Sequence, residues 1–370
     1  MKNLILLLVL LSFISKAQPP RPAPTPNDTL KSVRVLSDNR IVFSIYAPKA
    51  TEVSVGGDFK GGYPAIKLTK ADNGVWSASL PAISPDVYTY QFVVDGVKTF
   101  DPKNPQFKES ENGLDNVFEM PGKEAEYSAL KNVPHGKVEK VWFFSTAIKS
   151  MARMHVYTPP GYESMKTQLP VLYLQHGGGD NDASWTTIGK ANFILDNLLA
   201  EGKIQPMVVV MPMGHPLPGF NMEPGIDSDP YFKVLFGDII PFVESHYRVS
   251  AKRQDRAYAG LSMGGIQAYN IAIFSPEKFS YVLPLSTGFF PPQLKKLEEG
   301  NALKNPEINK LKLFWIAMGG EQDIAYNNGK NMLALLDKND IKYKTNTYAA
   351  GHTFVTWRHN LYEFAPLLFR

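Results

Sequence analysis

The sequence predicts two folded parts, a small all-β sandwich followed by a doubly wound α/β domain with a mainly parallel sheet. Short β-rich runs separated by turn residues fill residues 29–120, whereas apolar strands alternate with helical patterns from residue 140 to residue 370. In the second part, a glycine-flanked serine at 260–264 stands between an apolar run and a helical segment. Residues 121–139, between the two patterns, are interpreted as a linker.

Residues 1–17 have the composition of a signal peptide. Met1-Lys2-Asn3 form a basic start, Leu4 to Ile14 an apolar run, and Ser15-Lys16-Ala17 a small-residue cleavage point. This run is short for a bilayer span and no later stretch reaches about 18 apolar residues, so we expect no membrane anchor. Residues 18–28, with five prolines between Gln18 and Pro26, predict an extended linker.

The composition is that of an ordinary globular protein, with 44% hydrophobic and 20% charged residues. Lysine and arginine exceed aspartate and glutamate by 39 − 35 = 4, and removal of Lys2 and Lys16 leaves 2, too small a surplus to indicate a nucleic-acid partner. The absence of cysteine excludes disulfides, a lipid-modified N-terminal cysteine and a thiol nucleophile. We therefore expect a secreted or periplasmic protein, whose oligomeric state the sequence does not predict.

Alternating β-rich runs predict the strands of the first part, and Gly56-Gly57-Asp58, Asp72-Asn73-Gly74 and Asp95-Gly96 supply its turns. Such short strands favour an antiparallel sandwich of Ig-like type. The predicted strands are Arg40 to Tyr46, Glu52 to Val55, Trp76 to Leu80, Tyr88 to Val94 and Asn116 to Glu119.

The first part also resembles a known family. The residues that carry the resemblance are Phe43 to Ala50, Gly57-Asp58-Phe59, Gly74-Val75-Trp76, Tyr88 to Gly96 and Asp101-Pro102. They look like the early-set, Ig-like module that precedes glycogen-branching and related enzymes and also some secreted esterases. The resemblance implies a possible carbohydrate-binding role, with aromatic rings stacking on sugars. For Trp76, Tyr88 and Tyr90, the alternative is burial in the sandwich core.

The second part is predicted to open with an antiparallel pair of strands and to continue as a parallel sheet. The predicted strands are Val141 to Phe144, Met154 to Thr158, Val171 to Leu174, Met207 to Met211, Ala257 to Ala259, Tyr281 to Leu285, Leu313 to Met318 and Tyr343 to Tyr348. The predicted helices are Ile188–Glu201, Tyr231–Tyr247, Gly264–Phe274, Asn327–Lys338 and Trp357–Phe369. This order resembles the α/β-hydrolase fold.

Gly260-Leu261-Ser262-Met263-Gly264 matches the G-x-S-x-G pattern, in which a strained turn between a strand and a helix exposes a serine hydroxyl. A serine of this kind needs an acid and then a base later in the chain. His352 follows the last predicted strand, and imidazole accepts and returns a proton near neutral pH. The acid follows the strand Leu313 to Met318, where Asp323 is favoured over Glu321.

A glycine-rich turn, His176-Gly177-Gly178-Gly179, follows the strand Val171 to Leu174. Backbone amides of such a turn, together with the amide after the nucleophile, here Met263, can bind a tetrahedral oxyanion. We expect His176 to brace this turn rather than to act as a base.

The second part resembles the esterase-D-like enzymes of carbohydrate esterase family one, which include feruloyl and acetylxylan esterases and are similar to enterochelin esterases. The residues that carry the resemblance are His176 to Gly179, Phe193 to Leu198, Pro206 to Pro212, Gly260 to Gly265, Gly320 to Asp323 and Gly351 to Phe354. The resemblance implies a catalytic triad of Ser262, Asp323 and His352, and an oxyanion hole of the Gly178 and Met263 amides.

Three loops at the carboxyl ends of the predicted strands are aromatic, which favours a flat phenolic acyl group over an acetyl group. The candidate substrate contacts are Trp185, Phe220, Tyr231 and Phe289, with core packing as the alternative for each.

We therefore predict a secreted serine esterase that releases feruloyl groups from a plant cell-wall polysaccharide such as xylan. Acetylxylan esterase, siderophore esterase and an inactive polysaccharide-binding protein are the alternatives. No metal-ligand, Walker or dinucleotide motif occurs, so no metal or cofactor is expected.

Overall fold

The computed structural model describes residues 23–60, 65–111, 113–215, 222–227 and 229–370. The predicted signal peptide, the first five residues of the proline-rich segment and Phe220 lie outside the described residues. Within those residues, no helix combines the length and the apolar character needed to cross a membrane.

The first domain is a sandwich of two antiparallel sheets, as predicted. One sheet has the order β1-β2-β6-β5, and the other has the order β4-β3-β7-β10-β9 with β8 also paired to β7. Its described strands are β1 (Val33–Val35), β2 (Ile41–Tyr46), β3 (Val53–Gly57), β4 (Ile66–Lys67), β5 (Thr69–Lys70), β6 (Val75–Leu80), β7 (Asp86–Val94), β8 (Val97–Thr99), β9 (Phe107–Ser110) and β10 (Gly113–Met120).

Aromatic side chains fill the core of this sandwich. The Phe43 ring lies 5.1 Å from the ring of Tyr90 and 5.5 Å from that of Phe118, between centroids. Trp76, Tyr88 and Tyr90 are only 7%, 6% and 1% exposed. These three aromatic residues therefore pack inside the domain, so the core alternative is confirmed and they offer no surface for stacking on a sugar.

The second domain contains one sheet of order β11-β12-β14-β13-β15-β16-β17-β18. The β11–β12 and β12–β14 pairs are antiparallel, and the remaining pairs are parallel, as in an α/β-hydrolase. The strands are β11 (Lys137–Ser145), β12 (Ser150–Thr158), β13 (Val171–Gln175), β14 (Val208–Pro212), β15 (Arg256–Leu261), β16 (Tyr281–Leu285), β17 (Leu313–Met318) and β18 (Lys344–Thr347).

The five predicted helices are present, with three differences. The segment predicted as one helix over Tyr231–Tyr247 is an α-helix Pro230–Val234, a π-helical stretch Leu235–Ile239 and an α-helix Ile240–His246. The helix predicted over Trp357–Phe369 is Phe354–Phe364, and the helices Ser184–Thr187 and Pro291–Glu299 were not predicted. The described helices are α1 (Ser184–Thr187), α2 (Ala191–Ala200), α3 (Pro230–Val234), α4 (Ile240–His246), α5 (Met263–Phe274), α6 (Pro291–Glu299), α7 (Tyr326–Lys338) and α8 (Phe354–Phe364).

Successive side chains of the central strands enter opposite faces of the sheet. In β13, Val171 and Tyr173 belong to the core that packs under α5 and α7, whereas Leu172 and Leu174 belong to the core under α2 and α8. The strands are apolar throughout because both of their faces are covered. The loops after β13, β15, β17 and β18 consequently meet at the carboxyl edge of this sheet.

The two domains also share apolar packing. Val87 and Val117 of the first domain belong to the core cluster under α2 and α8, and Val355 of α8 belongs to the core cluster of the sandwich. The first domain is therefore packed against the face of the sheet that carries α8, immediately beside the carboxyl-edge loops.

Candidate active site

Ser262 occupies a sharp turn between β15 and α5. Its backbone angles are φ 52° and ψ −112°, a region that a residue with a side chain rarely adopts. A Cβ on Gly260 would lie 2.2 Å from the Gly264 carbonyl oxygen, so the turn closes only because a glycine stands there. The strand, turn and helix thus have the arrangement that the G-x-S-x-G pattern predicts.

His352, on the loop after β18, faces this serine. Its Nε2 lies 3.0 Å from Ser262 Oγ, and its side chain is 18% exposed. The other ring nitrogen, Nδ1, lies 2.7 Å from Asp323 Oδ1. Because the carboxylate accepts a hydrogen from Nδ1, Nε2 is left to accept the hydrogen of the serine hydroxyl.

Asp323 follows β17 and is held by two backbone amides as well as by the histidine. The Gly319 amide donates to its Oδ2 and the Ala325 amide to its Oδ1, both at 2.9 Å. Burial acts to raise the pKa of this carboxyl, but the hydrogen bonds from His352 and Ala325 keep the pKa below its ordinary value. Glu321, the alternative acid in the sequence, is exposed.

The glycine-rich turn passes beside the serine. A Cβ on Gly177 would lie 3.3 Å from Ser262 Cβ, whereas Gly178 is exposed. His176 braces the turn, since its Nδ1 donates to the Gly177 carbonyl at 2.8 Å and its Nε2 accepts from the Gly214 amide at 2.9 Å. Burial lowers the pKa of His176 to about 4, so this imidazole is neutral at pH 7.

A cavity of about 350 Å³ opens at Ser262 and His352. This volume lies within the range of small-molecule sites. Ser286, Thr287 and Asn328 contribute polar groups to its wall. The apolar members of the wall are Met222, Met263, Ile266, Phe290, Ile324 and Ala325.

Three of the aromatic residues predicted to contact substrate lie in the core instead, and that prediction needs correction. Trp185 is 1% exposed and donates its indole N–H to the Gln175 carbonyl at 3.1 Å. Tyr231 and Phe289 are both 0% exposed and pack in the cluster under α5. Phe290, the neighbour of Phe289, is the ring that lines the cavity.

Phe290 and Ile324 were not among the substrate contacts predicted from the sequence. The feature of the sequence that could have indicated them is adjacency to predicted site residues, since Phe290 follows Phe289 and Ile324 follows Asp323. The exposed fractions of Phe290 and Ile324 are 45% and 83%, as expected for side chains that lie at the mouth of a cavity.

The fold is that of an α/β-hydrolase, and a serine on a sharp strand-to-helix turn faces a histidine that contacts an aspartate. These features define the class of this protein as a serine esterase. Comparison with known families agrees. The chain belongs to the Esterase family, which is matched over residues 145–368, and residues 32–104 match carbohydrate-binding module 48, the isoamylase N-terminal domain.

Two curated relatives are similar in sequence to more than half of this chain. An endo-1,4-beta-xylanase/feruloyl esterase of Xylanibacter ruminicola is 32% identical over 362 residues, which cover 95% of this chain and 47% of the relative. Endo-1,4-beta-xylanase Y of Acetivibrio thermocellus is 28% identical over 249 residues, 60% of this chain and 22% of the relative. The chain thus spans half or less of the length of these relatives.

Solved structures support the same fold. A ferulic acid esterase has a TM-score of 0.57 at 24% identity and covers 64% of this chain and 98% of its own. An enterobactin esterase of Shigella flexneri, solved in the presence of enterobactin, has a TM-score of 0.66 at 18% identity and covers 89% of this chain and 92% of its own.

Proposed function

We propose that this protein is an exported serine esterase that releases feruloyl groups from a plant cell-wall polysaccharide such as xylan. The observation that carries the proposal is the chain of contacts from Asp323 through His352 to Ser262, at 2.7 and 3.0 Å, at the mouth of a largely apolar cavity. The relatives named as feruloyl esterases add support for the acyl group.

The proposed reaction proceeds through an acyl-enzyme. His352 Nε2 takes the proton of Ser262 while Oγ attacks the ester carbonyl, and Asp323 stabilises the imidazolium. The oxyanion accepts hydrogen bonds from the Met263 amide and from the glycine-rich turn, through Gly178. The sugar hydroxyl leaves with the proton from His352, and water then repeats the sequence on the acyl-enzyme.

The cavity wall favours an aromatic acyl group. Phe290 and Ile324 offer apolar surface for a phenyl ring, and Asn328 offers a polar group for its hydroxyl or methoxyl substituents. An acetyl group would leave most of a 350 Å³ cavity unfilled.

The test is steady-state hydrolysis of methyl ferulate and of acetylated xylan, side by side, with Ser262→Ala as the blank. We expect turnover of the ferulate, a clear preference for it, and a loss of kcat on the order of 10⁶-fold in the blank. A fluorophosphonate probe should label the wild type at Ser262 and leave the blank unlabelled.

The alternatives give other results. Acetate release without ferulate turnover would assign an acetylxylan esterase, and turnover of a catecholate siderophore alone would assign a siderophore esterase. An unlabelled wild type would contradict any serine esterase and favour a polysaccharide-binding protein without activity.

A further inference from the structure

The first domain reaches the glycine-rich turn through the hairpin formed by β9 and β10. The backbone amide of Glu111 donates to the Gly179 carbonyl at 2.9 Å. Lys108 Nζ lies 2.5 Å from Asp180 Oδ1, and these two side chains are only 14% and 8% exposed. The last glycine of the turn and Asp180, which directly follows it, are therefore both in contact with the first domain.

Lys108 also contacts the helix that follows the catalytic histidine. Its Nζ lies 5.5 Å from the centroid of the Phe354 ring, and Phe354 is the first residue of α8, two positions after His352. A cation at this distance from a ring face is attracted to it. The Lys108 side chain thus contacts both the segment of the glycine-rich turn and the helix that follows the His352 loop.

Glu111 provides a second connection through two histidines. Its Oε1 lies 2.5 Å from His215 Nδ1. The His215 ring stands edge-on to His176, with 5.0 Å between ring centroids, and His176 bonds the Gly177 carbonyl. The hairpin therefore supports the turn at Gly177 as well as at Gly179 and Asp180.

This support matters because three successive glycines have the greatest backbone freedom of any tripeptide. Oxyanion donors act by being fixed in place before the reaction, and loss of one donor costs about 10²–10³-fold in kcat. A displacement of about 1 Å can cost about 10²-fold.

We propose that Lys108 and Glu111 of the first domain are positioning residues for the oxyanion-binding turn, so that this domain contributes to the turnover even of small esters that carry no sugar. The inference rests on the proposed function, since it assigns a role to the same active site. It assigns the first domain a part in the reaction itself, in addition to any part in holding polysaccharide.

The test is the Lys108→Met variant of the full chain, assayed on methyl ferulate and by the rate constant of fluorophosphonate labelling. We expect kcat and the labelling rate constant to fall about 10- to 100-fold, with KM within about threefold of the wild type. Lys108→Arg, which keeps the charge, should recover most of the loss. Thermal unfolding establishes that each variant is folded.

Lys190→Met is the matched control. Lys190 also spans the domain boundary, with its Nζ 2.8 Å from Glu119 Oε1 and 5.9 Å from the Phe193 ring centroid, but these partners are not in the glycine-rich turn. We expect its kcat to equal that of the wild type. If Lys108→Met does not fold, Asp180→Asn removes the same ion pair from the other side, and the same fall in the labelling rate constant is expected.

A Lys108→Met protein with unchanged kcat and labelling rate constant would overturn the inference while leaving the proposed function standing. A loss restricted to KM, or an equal loss in Lys190→Met, would also overturn it. Because labelling does not depend on the acyl group, a wild type that is labelled but does not hydrolyse ferulate contradicts only the proposed substrate.

Discussion

Arg358 and Asp86 form a fully buried ion pair across the boundary between the two domains. Arg358 Nη2 lies 2.5 Å from Asp86 Oδ1, and the side chains are 0% and 1% exposed. The same guanidinium donates to the carbonyls of Val87 and Ile188, at 2.5 Å each. A helix of the esterase domain is thereby bonded to the first domain through buried groups.

Replacing Arg358 with methionine should destabilise the protein by about 3–5 kcal/mol, because it leaves the Asp86 carboxylate buried without the guanidinium, with His359 Nε2, at 3.3 Å, as its remaining ion-pair contact. Urea denaturation measures this change in the free energy of unfolding. Lys338→Met is the control, since it removes an exposed ion pair, to Glu298 at 2.6 Å, and should cost about 1 kcal/mol or less. Equal effects of the two variants would contradict the prediction.

Asp323→Asn should lower kcat by about 10⁴-fold while the protein stays folded. The amide no longer selects the tautomer in which Nε2 of His352 accepts the serine hydrogen. Glu321→Gln, at the exposed alternative acid, should leave kcat unchanged. Assays of both variants on methyl ferulate decide between the two acids, and a loss in Glu321→Gln alone would reverse the assignment.

Phe290→Ala should raise KM for methyl ferulate by roughly tenfold and leave the hydrolysis of an acetyl ester little changed, because the lost ring contacts only a large acyl group. Phe289→Ala removes a ring that lies in the core and should instead lower the free energy of unfolding by about 3–5 kcal/mol. The pair is measured by steady-state kinetics and by urea denaturation. A selectivity change in Phe289→Ala without a loss of stability would contradict this division of roles.

We expect Asp58 to make the stability of the protein depend on pH. Burial raises the pKa of Asp58 to about 6, although its Oδ1 accepts a hydrogen bond from the Thr89 amide at 2.7 Å. Between its unfolded pKa of about 4 and pH 6, the folded protein binds a proton that the unfolded chain releases, so the stability falls as the pH rises through this window.

Asp58→Asn removes this charge and keeps an oxygen for the Thr89 amide. We expect it to match the wild type near pH 4 and to exceed it by about 2–3 kcal/mol at pH 7. Asp72→Asn, at an exposed carboxylate of the same domain, is the control for the loss of one negative charge. Denaturation at several pH values makes the comparison, and a constant difference between wild type and Asp58→Asn would contradict it.

The sequence predicted the sheet of the esterase domain well because its strands are buried on both faces and read as apolar runs. β16 and β17 begin and end at the predicted residues, Tyr281–Leu285 and Leu313–Met318. Ser262, Asp323 and His352 could be chosen because each follows a strand that ends at the same edge of the sheet, and the structure brings the three together.

Other features depend on tertiary packing that the sequence does not display. No helix was predicted at Pro291 and Pro292, but prolines are favoured in the first turn of a helix, and these two residues begin α6. The local backbone conformation decides whether Phe289 or Phe290 faces the cavity. Two adjacent phenylalanines do not reveal that conformation in the sequence. In the sequence, Lys108 and Glu111 cannot be distinguished from ordinary surface charges. Their contacts with Asp180 and Gly179 arise only from the packing of the two domains.

The shared packing of Val87, Val117 and Val355 bears on how the chain can be divided. Cutting within residues 121–139, where the sequence indicates a linker, would expose apolar surface on both fragments and separate Arg358 from its carboxylate. Although the two domains match separate families, we expect them to unfold as one cooperative unit because they share this packing and this buried ion pair. A shortened version of this enzyme would need its newly bared face redesigned with polar side chains before it could be handled as an independent catalyst.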